Sequence, residues 1–293
     1  VTLSTLAVDP VSGAFDIAID FSESVTGFEL SDLSVGNGAA SGFAGSGAAY
    51  TATITPAADG LVTVDVAANA AADAAGNGNT AAAQLSRTFD GTAPSVTLST
   101  TAGDPVAGAF PVSIAFSEPV TGLELSDFVI ANASVSGLSG SGANYTINVT
   151  PSLNGPLTID LPAGAAQDAA GNDSTAAAQL ARTADLPGPT VVISTAASDP
   201  VAGAFDVDIV FSQPVTGFEL ADLLVGNGAA SNFTGSGAAY AATITPAADG
   251  AVTVDIPKDA ALNAVNAGNT AAATFTITND ETPPSVTLSA AAG

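Results

Sequence analysis

A tandem row of β-sandwiches, about seven strands each, is the all-β architecture predicted by this 293-residue sequence. Three observations predict it. Val1-Thr-Leu-Ser-Thr5 returns at Val96, Val191 and Val286, 95 residues apart each time. Within each repeat, apolar and polar residues alternate as in half-buried strands. Clusters of Gly, Pro, Asn and Asp interrupt that alternation at short intervals, as turns do.

The elements follow in chain order. Val1–Thr5 opens the first repeat as a strand. Phe15-Asp-Ile-Ala-Ile-Asp-Phe21 alternates with period two and forms the next. Phe15, Phe21, Phe28 and Phe43 are core candidates. Gly45-Ser-Gly47 reads as a turn before a strand. Tyr50, Tyr145 and Tyr240 coincide between repeats and begin that strand. Tyr50–Thr55 and Leu61–Val66 flank Pro56-Ala-Ala-Asp-Gly60, which predicts a hairpin. Ala67–Ala75 has helix-forming alanines but is broken by Asn and Asp and ends in Gly-Asn. It is expected to be a loop with one helical turn. Thr80–Arg87 is the last strand.

Proline-bearing linkers separate the repeats at Arg87–Pro94, Arg182–Pro189 and Ile277–Pro284. Proline fixes φ, so these linkers are stiffer than Gly/Ser tethers. The expected domains are residues 1–94, 95–189 and 190–284, with 285–293 opening a fourth repeat. The chain reads as a window cut from a longer array, with its repeats end to end as a rod.

Composition excludes several functions. Asp and Glu number 28 against 3 Lys and Arg, a net charge of −25. A nucleic-acid footprint and an anionic membrane surface both require the opposite sign. There is no His or Cys, so no His-based catalytic triad, thiolate nucleophile or zinc knuckle is available. No apolar run of membrane-spanning length occurs. A polyanion whose charged ligands are all oxygen suits a hard cation. Cysteine-free composition also fits a cell-surface protein that does without disulfides.

Phe116-Ser-Glu-Pro-Val-Thr-Gly122 matches Phe21-Ser-Glu-Ser-Val-Thr-Gly27, and Asp73-Ala-Ala-Gly-Asn77 matches Asp168-Ala-Ala-Gly-Asn172. In these blocks the chain resembles the bacterial Ig-like domains, tandem modules of large bacterial surface proteins and adhesins. The resemblance covers all three repeats. It implies an Ig-like β-sandwich, a stalk role and, in many relatives, calcium at domain junctions. The Cys pair and core Trp of antibody domains are missing, so the resemblance concerns architecture only.

Strand direction places the acidic loops. The first strand enters from the preceding domain, so Asp9 and the Asp59 turn lie at the lower end of repeat 1. Glu23 and Asp73 lie at its upper end. The joint of repeats 1 and 2 then gathers Asp9, Asp59 and linker Asp90 from above, with Glu118 and Asp168 from below. Asp185 and Asp280 are the later linker equivalents. Two such carboxylates about 5 Å apart, at an effective dielectric near 20, repel by roughly 3 kcal/mol before salt screening. Calcium would turn that repulsion into ligation. Turn formation is the competing role, above all for Asp9 and Asp59. The next joint differs: Gln213 replaces Glu118, Asn263 replaces Asp168, and Asn154 replaces Asp59. That joint is expected to bind calcium weakly or not at all and to be the more compliant, with Lys258 facing Asp185.

The first functional reading is a structural spacer of a long bacterial surface adhesin, stiffened by calcium and not an enzyme. Its partners are the neighbouring repeats. The rival is a subunit of an extracellular filament, sheath or surface layer, whose partners are identical chains. A glycan-binding module is the third reading. No repeat carries an exposed aromatic cluster that the others lack, which argues against it.

Overall fold

The computed structural model describes residues 1–288. Repeat 1 contains β1 (Thr2–Ser4), β2 (Phe15–Val25), β3 (Leu33–Gly36), β4 (Gly38–Pro56), β5 (Gly60–Val66) and β6 (Leu85–Phe89). Repeat 2 follows with β7 (Val96–Ser99), β8 (Phe110–Val120), β9 (Val129–Ala131), β10 (Ala133–Pro151), β11 (Gly155–Asp160) and β12 (Leu180–Ala184). Repeat 3 contains β13 (Val191–Ser194), β14 (Phe205–Val215), β15 (Leu224–Gly226), β16 (Gly228–Pro246), β17 (Gly250–Asp255) and β18 (Phe275–Asn279). In each repeat one sheet has the order β1-β2-β4 and the other β3-β5-β6, or their equivalents, with antiparallel pairing.

The 19-residue β4 folds back on itself. Gly38 lies against Thr55 and Pro56, Gly42 against Thr53, and Gly45 against Ala49 and Tyr50. Its two arms make the seventh strand of the sandwich. Gly45 has φ +121°, and a Cβ there would sit 2.3 Å from the Ala49 carbonyl. Only glycine fits so close a backbone approach.

Alternation decides what is buried. Phe15, Ile17, Ile19 and Phe21 of β2 face inward, as do Tyr50, Ala52 and Ile54 of β4 and Val62, Val64 and Val66 of β5. These side chains join one core in repeat 1, and repeats 2 and 3 each have their own. Phe21 and Phe28 meet edge to face at 5.1 Å, and Phe43 stacks on Tyr50 at 5.4 Å. Phe43 is half-buried and packs against this core from the β4 arm. In repeat 2 the Tyr145 hydroxyl donates to the Val120 carbonyl at 2.9 Å.

Three elements differ from expectation. Tyr50–Thr55 and Leu61–Val66 do not form a hairpin: β4 pairs with β2, and β5 with β3 and β6, so the Pro56–Gly60 turn carries the chain from one sheet to the other, where both strands bury their alternating apolar residues in the shared core. The last strand is Leu85–Phe89, because Leu85 to Phe89 pair with Val64 to Gly60. The preceding residues leave that ladder, with Ala82 N–H instead donating to the Val66 carbonyl at 3.0 Å. A one-turn 3-10 helix, Leu30–Asp32, precedes β3. The Asp32 carboxylate accepts the Glu29 N–H at 2.8 Å and closes that turn. The Ala67–Ala75 stretch forms turns held by Asn79, whose Oδ1 accepts from Ala71 N–H at 2.8 Å.

Residues 285–288 carry no strand, and Val286 and Leu288 are exposed. The rest of the expected fourth-repeat strand, 289–293, lies outside the described residues. Among the described residues, no helix is long and apolar enough to cross a membrane.

Candidate metal centre

The upper rim of repeat 2 is assembled by one small bridge. Glu118 lies near the end of β8, beyond the residues paired with Tyr145 and Asn144. A few residues on, Thr121 and Gln167 exchange backbone hydrogen bonds at 2.8 and 2.9 Å. That bridge fixes the loop after β11 beside the end of β8, and so sets Asp168 next to Glu118.

Asp168 organises its own loop. Its Oδ1 accepts N–H bonds from Ala170 at 2.8 Å and Asn172 at 2.9 Å, and its Oδ2 accepts the Asn172 side-chain amide at 2.8 Å. The same Asn172 amide also donates to the Asp90 carbonyl at 2.7 Å. Asn172 therefore pins the linker to repeat 2. Farther along, Thr175 N–H donates to the Pro94 carbonyl at 2.9 Å.

Asp90, Glu118 and Asp168 meet here, each with a carboxylate oxygen within 4.8 Å of the others. Asp168 is buried at 6% exposure. Burial pushes the Glu118 carboxyl above its ordinary value, and the charges of Asp90, Asp168 and Asp59 push it further. Burial also pushes Asp168 up, but the Asn172 side chain and the loop N–H groups outweigh it and leave Asp168 below its ordinary value. The donor set is all hard oxygen, converging and short of positive charge, which fits a calcium ion bridging linker and repeat. Such an ion would ligate Asp90, Glu118 and Asp168 and supply the charge this rim lacks.

The other expected residues lie elsewhere. Asp59 holds the linker above, accepting the Gly91 N–H at 2.7 Å and the Thr92 hydroxyl. These bonds, the Thr92 hydroxyl first, lower its carboxyl below the usual range. Asp9 accepts the Thr88 N–H at 2.7 Å, within repeat 1. Both tether segments distant in sequence, Asp9 to the last strand and Asp59 to the linker, and neither belongs to the cluster of three. Glu23 and Asp73 line one cleft beside Val1. Asp73 repeats the loop geometry, accepting from Ala75, Asn77 and the Asn77 side chain at 2.8–2.9 Å. Asp185 shares one cleft with Asp104 and another with Asn154 and Lys258. Asp280 accepts the Thr282 N–H at 3.1 Å.

Lys258 does not face Asp185 as an ion pair. It lies 3.8 Å from its neighbour Asp259, and both side chains are exposed. Adjacency along the chain gives Asp259 the shorter reach. Asn172 was not expected to reach the linker. Its place in the Asp-Ala-Ala-Gly-Asn block, replaced by Ala267 in repeat 3, was the available signal.

Without calcium, the two shifts act in opposite directions. Glu118, raised by the fold, contributes stability at low pH that is lost as pH rises through its folded value. Asp168, lowered, contributes stability at neutral pH that is lost as pH falls through its own. Glu118→Gln is therefore expected to stabilise the chelated protein at pH 7, by about 1 kcal/mol or less after solvent screening. In calcium the same variant should melt lower than the parent. Thermal melts in both buffers check this, and a variant that melts lower in both removes the repulsion argument.

Residues 2–89, 90–184 and 185–280 each match the family model described as a bacterial Ig-like domain. Among solved structures, the bacterial integrin-binding protein invasin is similar at 13% identity and a TM-score of 0.30. The match covers 96% of this chain and 60% of that one. An S-layer protein, SbsC, is similar at 12% identity and a TM-score of 0.23, over 97% and 55%. A marsupial T cell receptor is similar at 13% and 0.33, over 87% and 95%. Similarity this low says nothing about function. The chain spans less than two thirds of the invasin and SbsC chains. No curated protein matches it.

Proposed function

As the chain belongs to the bacterial Ig-like domain family, in three tandem copies, we propose that it is a spacer stalk of a large bacterial surface adhesin. Calcium at the joint of repeats 1 and 2 extends and stiffens it, and it works outside the cell without catalysing a reaction. One observation supports this most: Asp90 from the linker meets Glu118 and Asp168 from the next repeat. A cation held there ties linker to domain and restricts the joint. Each repeat has its own core, so the array lengthens without enlarging any core.

Small-angle scattering tests the shape. Three sandwiches, each as long as an 11-residue strand at 3.3 Å per residue, make a rod of about 110 Å. Its radius of gyration would be ~30 Å by rod geometry, against ~19 Å for a compact globule of this length. A value near the compact one in calcium would end the stalk reading. Ordered fibres under the microscope would favour the filament reading instead.

A further inference from the structure

We propose that the joint of repeats 2 and 3 is a cation-independent latch, in which a backbone hydrogen bond across the joint, braced by neutral amides on either side, and a close backbone contact do what carboxylates and a cation do one joint earlier. The contrast with the first joint rests on the calcium reading above; the latch itself does not.

A hydrogen-bond chain crosses this joint. Linker Leu186 N–H donates to Asn154 Oδ1 at 2.6 Å. Asn154 N–H, from the lower turn of repeat 2, donates to the Val265 carbonyl of repeat 3 at 3.1 Å. Val265 N–H donates to Asn263 Oδ1 at 3.1 Å. Asn263 Nδ2 then donates to Gln213 Oε1, on β14, at 2.9 Å. Linker, repeat 2, the rim loop of repeat 3 and its strand are thereby connected without a charge.

Two of the substitutions between the joints have a chemical consequence, while Asn154 accepts the Leu186 N–H just as Asp59 accepts the Gly91 N–H. Two ionised carboxylates are both acceptors and cannot bond each other, so Glu118 and Asp168 meet only through a cation, a water or a proton on one of them. An Asn and a Gln each carry donor and acceptor, so Asn263 and Gln213 bond directly. Asn263 is as buried as Asp168, at 6% exposure, but brings no charge to desolvate.

The backbone supplies independent support. Linker Gly188 lies so close to repeat 3 that a Cβ there would sit 1.7 Å from the Gly268 carbonyl. Its equivalent at the first joint is Ala93. The second linker is therefore seated directly on the next repeat, where a side chain would hold it off. The second joint is not the compliant one that its missing charge suggested.

The full chain has no cysteine, so nitroxide labels can be placed at will. Cysteines replacing exposed Thr51 and Asn144 span the first joint; Asn144 and Ser231 span the second. The expected distance distribution across the second joint is equally narrow in calcium and in chelator. Gly188→Ala and Asn154→Pro, which removes the backbone N–H that crosses the joint, should each broaden it at least twofold in both buffers, with circular dichroism confirming intact sandwiches. Gln213→Glu with Asn263→Asp should make it broad in chelator and narrow in calcium. A parent distribution that broadens in chelator, or both single variants as narrow as the parent, overturns the latch. A first joint indifferent to calcium, beside a second that stays narrow, upholds the latch and removes only the calcium reading.

Discussion

Calcium is expected to raise the melting temperature of this chain by on the order of 10–20 °C, and chelator to reverse the rise. An ion bound only by the folded array stabilises by RT ln(1 + [Ca]/Kd), about 2.7 kcal/mol at a hundredfold excess over Kd. Extracellular calcium modules bind at about 10⁻⁴–10⁻³ M, so roughly 10 mM calcium reaches that excess at the tight end. For a domain near 100 residues, each kcal/mol moves the midpoint by about 4–8 °C. The rise should belong to the transition of repeat 2, which supplies Glu118 and Asp168. Asp168→Asn should remove most of it, since Asp168 lies deepest in the cluster. Asp32→Asn should not, because Asp32 only closes a 3-10 turn. Magnesium, which demands near-ideal octahedral geometry and sheds water reluctantly, should substitute poorly. Calorimetry with calcium, magnesium and chelator reads all of this. An unchanged melt in chelator at low salt would mean that the three carboxylates are solvated turn residues.

The other large effect concerns the cores. Ile159→Ala in repeat 2 is expected to cost about 2–5 kcal/mol, from lost burial and the cavity left behind. Ile159 is fully buried, with 0% exposure. A domain of this size is stable by only about 5–15 kcal/mol in total, so the variant should sit close to unfolding at 37 °C. Each repeat buries its apolar side chains in a separate cluster. Repeats 1 and 3 should therefore keep their transitions while that of repeat 2 falls. Val129→Ala, an exposed position on β9, should change stability by less than about 0.5 kcal/mol. Limited proteolysis and calorimetry distinguish the cases. Simultaneous loss of all three repeats would show that the joints couple the domains more strongly than their contacts imply.

Much of the fold was legible because its signals are local and repeated three times. Alternation in Phe15–Phe21 marks a half-buried strand without reference to any partner. Pro56-Ala-Ala-Asp-Gly60 marks a turn because Gly60, at φ +125°, adopts a conformation that favours glycine; that this turn crosses between sheets instead of closing a hairpin was not legible, since partner choice is not written in the turn itself. The gathering of Asp90, Glu118 and Asp168 was also legible, since strand direction alone assigns loops to ends. Less legible was which acids would meet. Asp9 and Asp59 lie at the same end, yet each is drawn to a backbone N–H of its own repeat or linker. Such bonds depend on distances of a few tenths of an ångström, which no residue pattern encodes.

By itself the sequence determined the period, the sandwich class, the length of each core and the difference in charge between the joints. These follow from composition and spacing, which act through burial and chain direction. Only the tertiary structure decided what the charge difference does. It bonded Asn263 to Gln213, drew Asn154 to Val265, left Lys258 beside Asp259, and seated Gly188 on the backbone of repeat 3. The physical reason is that a missing charge does not by itself loosen a joint. A neutral amide can supply both donor and acceptor, and whether it finds its partner depends on geometry set by residues 50 or more positions away.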